Sequence, residues 1–102
     1  MKNTYEIYLI SDSTGETIDR IFMALKSQFI NFEYELNQFS FTRTENQITN
    51  IINDAKNKNN SIILYTIVNN KHAKFLLEQS KRKKIPCFDV MGDLILNFSK
   101  II

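Results

Sequence analysis

Residues 62–68, with the sequence IILYTIV, decide the fold class of this chain. The run is almost wholly apolar, and most of its side chains are β-branched or aromatic. A continuous apolar run of this length predicts a strand that is covered on both faces, as in a parallel sheet between two layers of helices. Asn69 or Asn70 follows the run and is expected to cap a helix, so the segment predicts one strand–helix unit.

Three further strand–helix units flank this one. Residues 5–10 predict an apolar strand, and residues 85–90 predict a short strand that tolerates Pro86 at its first position. Apolar stripes at helical spacing indicate the helices that follow. The stripe residues are Ile18, Ile21, Phe22, Leu25 and Phe29 in the first helix, Ile48, Ile51, Ile52 and Ala55 in the second, Ala73, Leu76 and Leu77 in the third, and Leu94, Ile95, Phe98, Ile101 and Ile102 in the fourth.

The second strand has a different pattern from the others. Its apolar residues alternate with polar ones at first and then continue out of phase: Phe32, Tyr34 and Leu36, then Phe39 and Phe41. The alternation with charged residues suits a strand at the edge of a sheet. The change of phase predicts a β-bulge.

The fold class predicted from this pattern is α/β, with a four-stranded parallel sheet and helices on both faces, Rossmann-like or flavodoxin-like. The strand order 2-1-3-4 is favoured over 3-2-1-4, because the first and third strands are apolar enough for the middle. We expect a single domain over residues 1–102. In this order any ligand crevice lies between the first and third strands, beside residues 12–15 and 69–70. Nine residues are expected to be largely buried: Ile7, Leu9, Ile21, Phe22, Leu25, Ile63, Leu64, Ile67 and Leu76.

The composition excludes several classes of function. The 102 residues are 43% hydrophobic and carry a net charge of +2, which indicates neither nucleic acid nor an anionic membrane as a partner. One cysteine and one histidine exclude an internal disulfide and a Cys/His zinc site. The sequence contains no apolar run near the roughly 18 residues of a membrane span and no signal-peptide pattern. A cytoplasmic domain without a metal site is therefore expected.

The best local candidate for a binding site is residues 11–17, SDSTGET, between the first strand and the first helix. Free backbone N–H groups at a helix start favour an anion, and Gly15 would let a ligand approach closely. The hydroxyls of Ser13, Thr14 and Thr17 could add hydrogen bonds. The sequence therefore predicts a weak anion pocket formed by these four residues.

Two neighbouring features bear on this pocket. Ser13 and Glu16 match a Ser-x-x-Glu capping box, which would explain the block without any ligand. Arg43, at the end of the second strand, faces either a phosphate or the solvent. Thr44 and Gln47 match a second capping box, at the start of the second helix.

Four other features have both a functional and a structural interpretation. Asp12 at a strand end is a weak candidate for an aspartyl-phosphate, since that chemistry needs further carboxylates to hold Mg²⁺. His72 is expected on the surface rather than as a general base, and Cys87 as a buried thiol rather than a nucleophile. Residues 81–84 form either a solvated basic turn or a surface for an acidic partner. No residue is predicted to be catalytic.

Four segments together carry a family resemblance: residues 10–17, 42–44, 63–68 and 85–91. In this order and spacing they resemble the N-terminal domain of the bacterial kinase/pyrophosphorylase family. That family comprises the regulatory proteins of pyruvate, phosphate dikinase and of phosphoenolpyruvate synthase. The likeness extends over essentially the whole chain, and the block at residues 11–17 is its most specific part.

The resemblance implies a bifunctional serine/threonine protein kinase and phosphorylase. Family members inactivate their target enzyme by phosphorylating a threonine with ADP as the donor, and they reactivate it with inorganic phosphate, releasing pyrophosphate. The family's phosphate loop lies in a C-terminal domain that is absent from these 102 residues. No catalytic residue and no ADP site therefore carry over, and the chain alone is expected to be inactive. The alternative is a non-catalytic α/β module that docks a partner protein or binds a small anion.

The fourth helix is expected to leave apolar surface uncovered. Ile95, Phe98 and Ile102 need more cover than a short chain supplies. This pattern suggests a fragment or the first domain of a longer protein. It also predicts self-association or poor solubility, so a homo-oligomer is a further possibility.

Overall fold

A computed structural model describes residues 4–102 as four consecutive strand–helix units. Residues 1–3 of the expected domain lie outside the described part of the chain. The elements are β1 Thr4–Ser11, α1 Glu16–Lys26, β2 Glu33–Phe39, α2 Glu45–Asn57, β3 Ser61–Thr66, α3 Asn70–Arg82, β4 Cys87–Asp89 and α4 Gly92–Ile101. Within residues 4–102, no helix combines the length and the apolar character that crossing a membrane requires.

The four strands form one parallel sheet in the order β2-β1-β3-β4. This confirms the predicted fold class and strand order. β1 and β3 occupy the middle, where Ile63 and Leu64 of β3 are almost inaccessible to solvent. β2 lies at an edge, where polar side chains such as Glu33 and Glu35 are exposed. The charge pattern and the position of each strand therefore agree.

The two faces of the sheet are covered by different helices. Successive residues of a strand point to opposite faces, so Tyr8 and Ile10 of β1 join one cluster while Ile7 and Leu9 join the other. The first cluster packs against α2 and α3, and the second packs against α1. Helices on both faces were predicted and are confirmed.

Capping sets the start of two helices as predicted. The Thr44 hydroxyl accepts from the backbone N–H of Gln47 at 3.1 Å, and the Gln47 side chain accepts from the backbone N–H of Thr44 at 3.0 Å. This capping box satisfies donors that the first turn of α2 would otherwise leave free. The Asn69 side chain caps α3 by accepting from the backbone N–H of His72 at 3.0 Å.

The predicted β-bulge in the second strand is wrong. β1 and β2 pair without interruption from Thr4 opposite Glu33 to Ile10 opposite Phe39. The change of phase instead reflects a change of face. Tyr34 packs against α1, with its ring 5.0 Å from that of Phe22, whereas Phe39 stacks on Tyr8 on the face of α2.

The core prediction is right for seven of the nine named residues. Ile21 is only half-buried, and Leu25 is 41% exposed. α1 covers β1 and the adjoining parts of β2 and β3, but within residues 4–102 no element covers the surface between the C-terminal half of α1 and β4. Leu25 therefore belongs to the apolar stripe of α1 without having a neighbour that buries it.

Replacing Leu64 by alanine is expected to lower the free energy of unfolding by about 2–5 kcal/mol, because the change leaves a cavity in the middle of the sheet. Urea unfolding followed by circular dichroism measures the loss. Met23→Ala is the matched control, since Met23 is 53% exposed on α1, and its effect should stay within about 0.5 kcal/mol. A loss below about 1 kcal/mol for Leu64→Ala would contradict its place in the core.

Candidate cleft at the carboxyl end of the sheet

A cleft of about 540 Å³ opens at the carboxyl ends of β1, β3 and β4. Its walls come from the loops after these strands and from α1, α3 and α4. This is the position predicted for a crevice, because the chain leaves β1 and β3 toward opposite faces of the sheet. Asp12, Ser13 and Asn70 line it as expected, whereas Thr14, Gly15 and Asn69 do not belong to the lining.

The start of α1 has a different geometry from the predicted one. The helix begins at Glu16, and its N-cap is Gly15, which has a left-handed backbone with φ of 89° and no side-chain cap. A Ser13–Glu16 capping box would need Ser13 as the N-cap residue and Glu16 as the third residue of the helix. Because the N-cap is Gly15, that prediction is wrong. The hydroxyl of Ser13 instead lies 3.3 Å from the hydroxyl of Ser11.

The predicted anion residues fall into two groups. Ser13 and Thr17 are exposed side chains that line the cleft. Thr14 is exposed outside the lining, and its hydroxyl lies 3.5 Å from the backbone N–H of Glu16. Gly15 has open space around it, since a methyl group there would meet nothing closer than Ser40 at 4.0 Å. Its positive φ, rather than crowding, is what favours glycine at this position.

Arg43 lies against the loop after β1 but does not line the cleft. Its Nε donates to the backbone oxygen of Asp12 at 2.9 Å, and its guanidinium lies 5.1 Å from the ring centre of Phe41. The same two loops are joined by backbone bonds from Thr42 to Ser11 and from Phe41 to Ser13, each of 2.9 Å. Arg43 therefore neither faces the cleft nor points freely into solvent.

Two carboxylates line the cleft, and each accepts hydrogen bonds from backbone N–H groups. Asp12 accepts from the backbone N–H of Val68 at 2.8 Å, which ties the end of β1 to the end of β3. Asp89 accepts from Gly92 at 2.6 Å and from Met91 at 3.1 Å, which holds the start of α4. The lining residues include no lysine or arginine. The uncapped start of α1 favours a negative ligand, and the two carboxylates oppose one.

Sequence reasoning missed the part that Asp89 and α4 play in this cleft. Ile95, Leu96 and Ser99 of α4 form an apolar wall with one hydroxyl. The signal that could have revealed it is an aspartate three residues before Gly92, at the start of a helical stripe, because aspartate is a common capping residue. Within residues 4–102, no group of three or more histidine, cysteine, aspartate or glutamate side chains is placed to hold a metal ion.

Two side chains of the central and last strands, Tyr65 of β3 and Cys87 of β4, have raised pKa values. Burial raises the pKa of Tyr65 to about 12, with Asp89 as a smaller cause. Burial also raises the pKa of Cys87 to about 11. Cys87 packs against the core cluster of α2 and α3, as expected for a core thiol, but it is half-buried rather than fully buried.

His72 is half-buried in the first turn of α3 rather than fully exposed.

Comparison with known proteins relates nearly the whole chain to one family. The family model described as kinase/pyrophosphorylase matches residues 7–102. A protein of Pelagibacter ubique (strain HTCC1062), named as a pyruvate, phosphate dikinase regulatory protein, is 59% identical over 102 residues, which are 100% of this chain and 37% of that protein. A protein with the same name from Alkaliphilus oremlandii (strain OhILAs) is 35% identical over 94% of this chain and 34% of its own length. The chain therefore spans about a third of the length of the curated relatives it matches.

The thiol of Cys87 is expected to react slowly with iodoacetamide in the folded chain, because the thiolate is the reactive form and burial raises the pKa. Relative to an ordinary thiol with a pKa of about 8.5, the alkylation rate at pH 8 should fall about 200-fold. The rate should still rise at pH 10, whereas in urea it should level off near pH 9. Because the folded-state pKa is raised, this group stabilises the fold below pH 8.5, and that contribution is lost as the pH rises toward 11.

Alkylation can be followed by mass spectrometry, with Cys87→Ser as the control for background labelling. A native rate that levels off below pH 9 would contradict the burial of this thiol.

Proposed function

This chain belongs to the kinase/pyrophosphorylase family, and we propose that it forms the N-terminal domain of a regulatory protein kinase and pyrophosphorylase. The observation that carries the proposal is the family match over residues 7–102. The names of the relatives point to pyruvate, phosphate dikinase as the target. Phosphoenolpyruvate synthase is the alternative target within the same family.

The proposed reaction has two directions. In one, the terminal phosphoryl group of ADP moves to a threonine hydroxyl of the target, which loses its proton, and AMP leaves. In the other, inorganic phosphate takes the phosphoryl group from the phosphothreonine, which restores the hydroxyl and releases pyrophosphate. Both directions need a cradle for phosphates and for Mg²⁺. The 102 residues contain no Gly-Lys-Ser or Gly-Lys-Thr sequence, so the proposal assigns the ADP site to another domain.

The role proposed for this domain is to bind an anion at the start of α1. Support comes from the uncapped N-terminus of the helix and from the exposed hydroxyls of Ser13, Thr14 and Thr17. Gly15 adds open space, and Arg43, whose Nε donates to the backbone oxygen of Asp12, adds a positive charge beside this loop. A helix N-terminus stabilises an anion by about 0.3–1 kcal/mol, so the binding should be weak.

A second candidate function is a non-catalytic docking module. The observation that favours it is α4, which has no buried residue and exposes Leu94, Phe98 and Ile101. Such an apolar surface is typical of a protein–protein contact rather than of a site for a small anion. The two functions are compatible, because the apolar surface and the start of α1 are different parts of the domain.

The enzymatic proposal is tested with a chimera in which this chain replaces the matching third of the Pelagibacter ubique relative. Incubated with ADP, Mg²⁺ and pyruvate, phosphate dikinase, the chimera is expected to form phosphothreonine on the dikinase. The 102-residue chain alone should form none. Mass spectrometry of the dikinase measures the product.

The unmodified relative is the positive control, and omission of ADP is the negative control. A folded chimera without activity, beside an active relative, would overturn the proposed function. Phosphorylation by the isolated chain would place the ADP site within these 102 residues after all.

The anion site is tested by titrating the ¹⁵N-labelled chain with phosphate, pyrophosphate and ADP. The amide signals of residues 13–17 are expected to shift at about 100 mM ligand, because the first-turn N–H groups are the proposed donors and about 1 kcal/mol corresponds to a dissociation constant of about 0.2 M. Arg43→Gln should reduce the shifts. Arg20→Gln, which removes an exposed arginine of α1, should leave them unchanged. Signals that do not move would identify residues 13–17 as a purely structural loop.

A further inference from the structure

A lysine-rich pocket lies at the amino end of the sheet, opposite the carboxyl-end cleft. Its volume is about 430 Å³, and it is formed mainly by the loop after α2 and the loop after α3. Its twelve lining residues include four lysines and neither an aspartate nor a glutamate. The four are Lys56, Lys58, Lys83 and Lys84. This lysine pocket is therefore a concave surface with positive charge on two sides.

Both loops that carry the lysines are held by backbone hydrogen bonds to the sheet. The backbone oxygen of Asn60, after α2, accepts from the N–H of Glu6 at 3.0 Å. The backbone oxygen of Pro86, after α3, accepts from the N–H of Ile63 at 2.8 Å. The lysines therefore project from a fixed framework, as binding residues on loops commonly do.

Two of the four lysines have partners within the domain. Lys56 Nζ donates to the backbone oxygen of Lys83 at 3.3 Å, which satisfies a carbonyl at the end of α3. Lys58 Nζ lies 3.5 Å from a carboxylate oxygen of Glu6 and 3.5 Å from one of Asp54. These two lysines therefore stabilise the fold, whatever else they contact.

The basic turn at residues 81–84 holds charge that the domain does not balance. All four side chains are exposed, and within residues 4–102 none of them belongs to an ion pair. Lys83 and Lys84 line the pocket, and Lys81 and Arg82 precede them in the last turn of α3. The C-terminal end of a helix carries only about half a negative charge. Four consecutive cations exceed what the helix end needs, so positive charge remains available to a partner.

Charge is divided between the two ends of the sheet. Six of the thirteen lysine and arginine residues belong to the lysine pocket or to the basic turn. The cleft at the other end is lined by Asp12 and Asp89 and by no lysine or arginine. A small net charge of +2 therefore conceals a surface that steers negative groups to the amino end of the strands.

We propose that the lysine pocket and the basic turn bind an acidic segment of a partner protein, whose carboxylates contact Lys83 and Lys84. Carboxylates spaced along a peptide suit lysines, which are point charges on flexible stems. The carbonyl ends of α2 and α3 both lie at this pocket and oppose a compact, multiply charged phosphate at its base. The lining also contains no arginine, the residue that binds phosphate through two parallel hydrogen bonds.

Nucleic acid fits this surface less well than an acidic peptide. Proteins that bind single strands stack bases on aromatic side chains. Tyr5 is the one aromatic residue of the lining, and its ring packs against that of Phe32 with 5.9 Å between their centres. The pocket therefore offers charge without a stacking surface. The proposal does not depend on the phosphotransfer activity or on the anion site at the start of α1.

Fluorescence anisotropy of a labelled hexaglutamate peptide with the full 102-residue chain tests the proposal. The peptide is expected to bind, and a hexaglutamine peptide is not. Binding should weaken as the salt concentration rises, since the contacts join exposed charges. The double variant Lys83→Gln, Lys84→Gln should raise the dissociation constant about fivefold or more.

The matched control is the double variant Lys71→Gln, Lys74→Gln. It removes the same charge from two exposed positions in the first half of the same helix, so it should change the dissociation constant by less than about twofold. Circular dichroism verifies that both variants are folded. In the ¹⁵N-labelled chain, the peptide should shift the amide signals of residues 57–60 and 83–85 and leave those of residues 13–17 unmoved, which separates this surface from the anion site.

Four results would overturn the proposal. The first is no binding of the hexaglutamate peptide at about 1 mM. The second is an equal loss in the two double variants, which would show attraction to the overall charge only. The third is tighter binding of a uridine hexanucleotide than of the peptide, which would assign the surface to nucleic acid. The fourth is displacement of the peptide by an equal concentration of pyrophosphate, which would assign the pocket to a small phosphate ligand.

Discussion

The parallel pairing of β1 with β3 is the constraint on which the rest of the structure depends. The two strands run side by side from Glu6 opposite Ser61 to Ser11 opposite Thr66, and both contribute buried residues to both faces of the sheet. Asp12 closes the pair at its carboxyl end, because its backbone N–H donates to Thr66 at 3.3 Å and its carboxylate accepts from Val68 at 2.8 Å. Beyond this tie the chain departs toward α1 on one face and toward α3 on the other. The cleft is the space that this divergence leaves open.

Burial of a strand on both faces is visible in sequence, whereas the cover of a helix is not. A strand between two helical layers needs apolar residues at every position, so residues 62–68 and the charged second strand were sufficient to predict the order β2-β1-β3-β4. An apolar stripe on a helix shows which side avoids water, but it does not show whether another element lies there. Ile18 and Phe22 are buried against β1 and the neighbouring strands, while Leu25, on the same stripe, borders an open groove.

The candidate site was predictable in position but not in the contacts of its side chains. Topology alone places a cleft after β1 and β3. The same capping pattern occurs twice in the sequence, yet only the copy at the start of α2 forms. At the start of α1, Ser13 is held by Ser11 and by the backbone of Phe41, which belongs to a loop distant in sequence. Arg43 is similarly directed by the backbone oxygen of Asp12. Contacts between distant segments decide such details, and local spacing does not encode them.

The helix α4 contributes one side to the wall of the cleft and exposes an apolar stripe on its other side. One side supplies Ile95 and Leu96 to the wall of the cleft, and the other carries the bare stripe. No residue of the helix is buried, so within residues 4–102 its position is held mainly by the hydrogen bonds of Asp89 to Met91 and Gly92. Any partner that packs on the outer side of α4 would therefore also restrain the inner side, which forms a wall of the cleft. The shape of the cleft, and hence what it can bind, would then depend on whether α4 is occupied from outside, because a single rigid helix forms both surfaces.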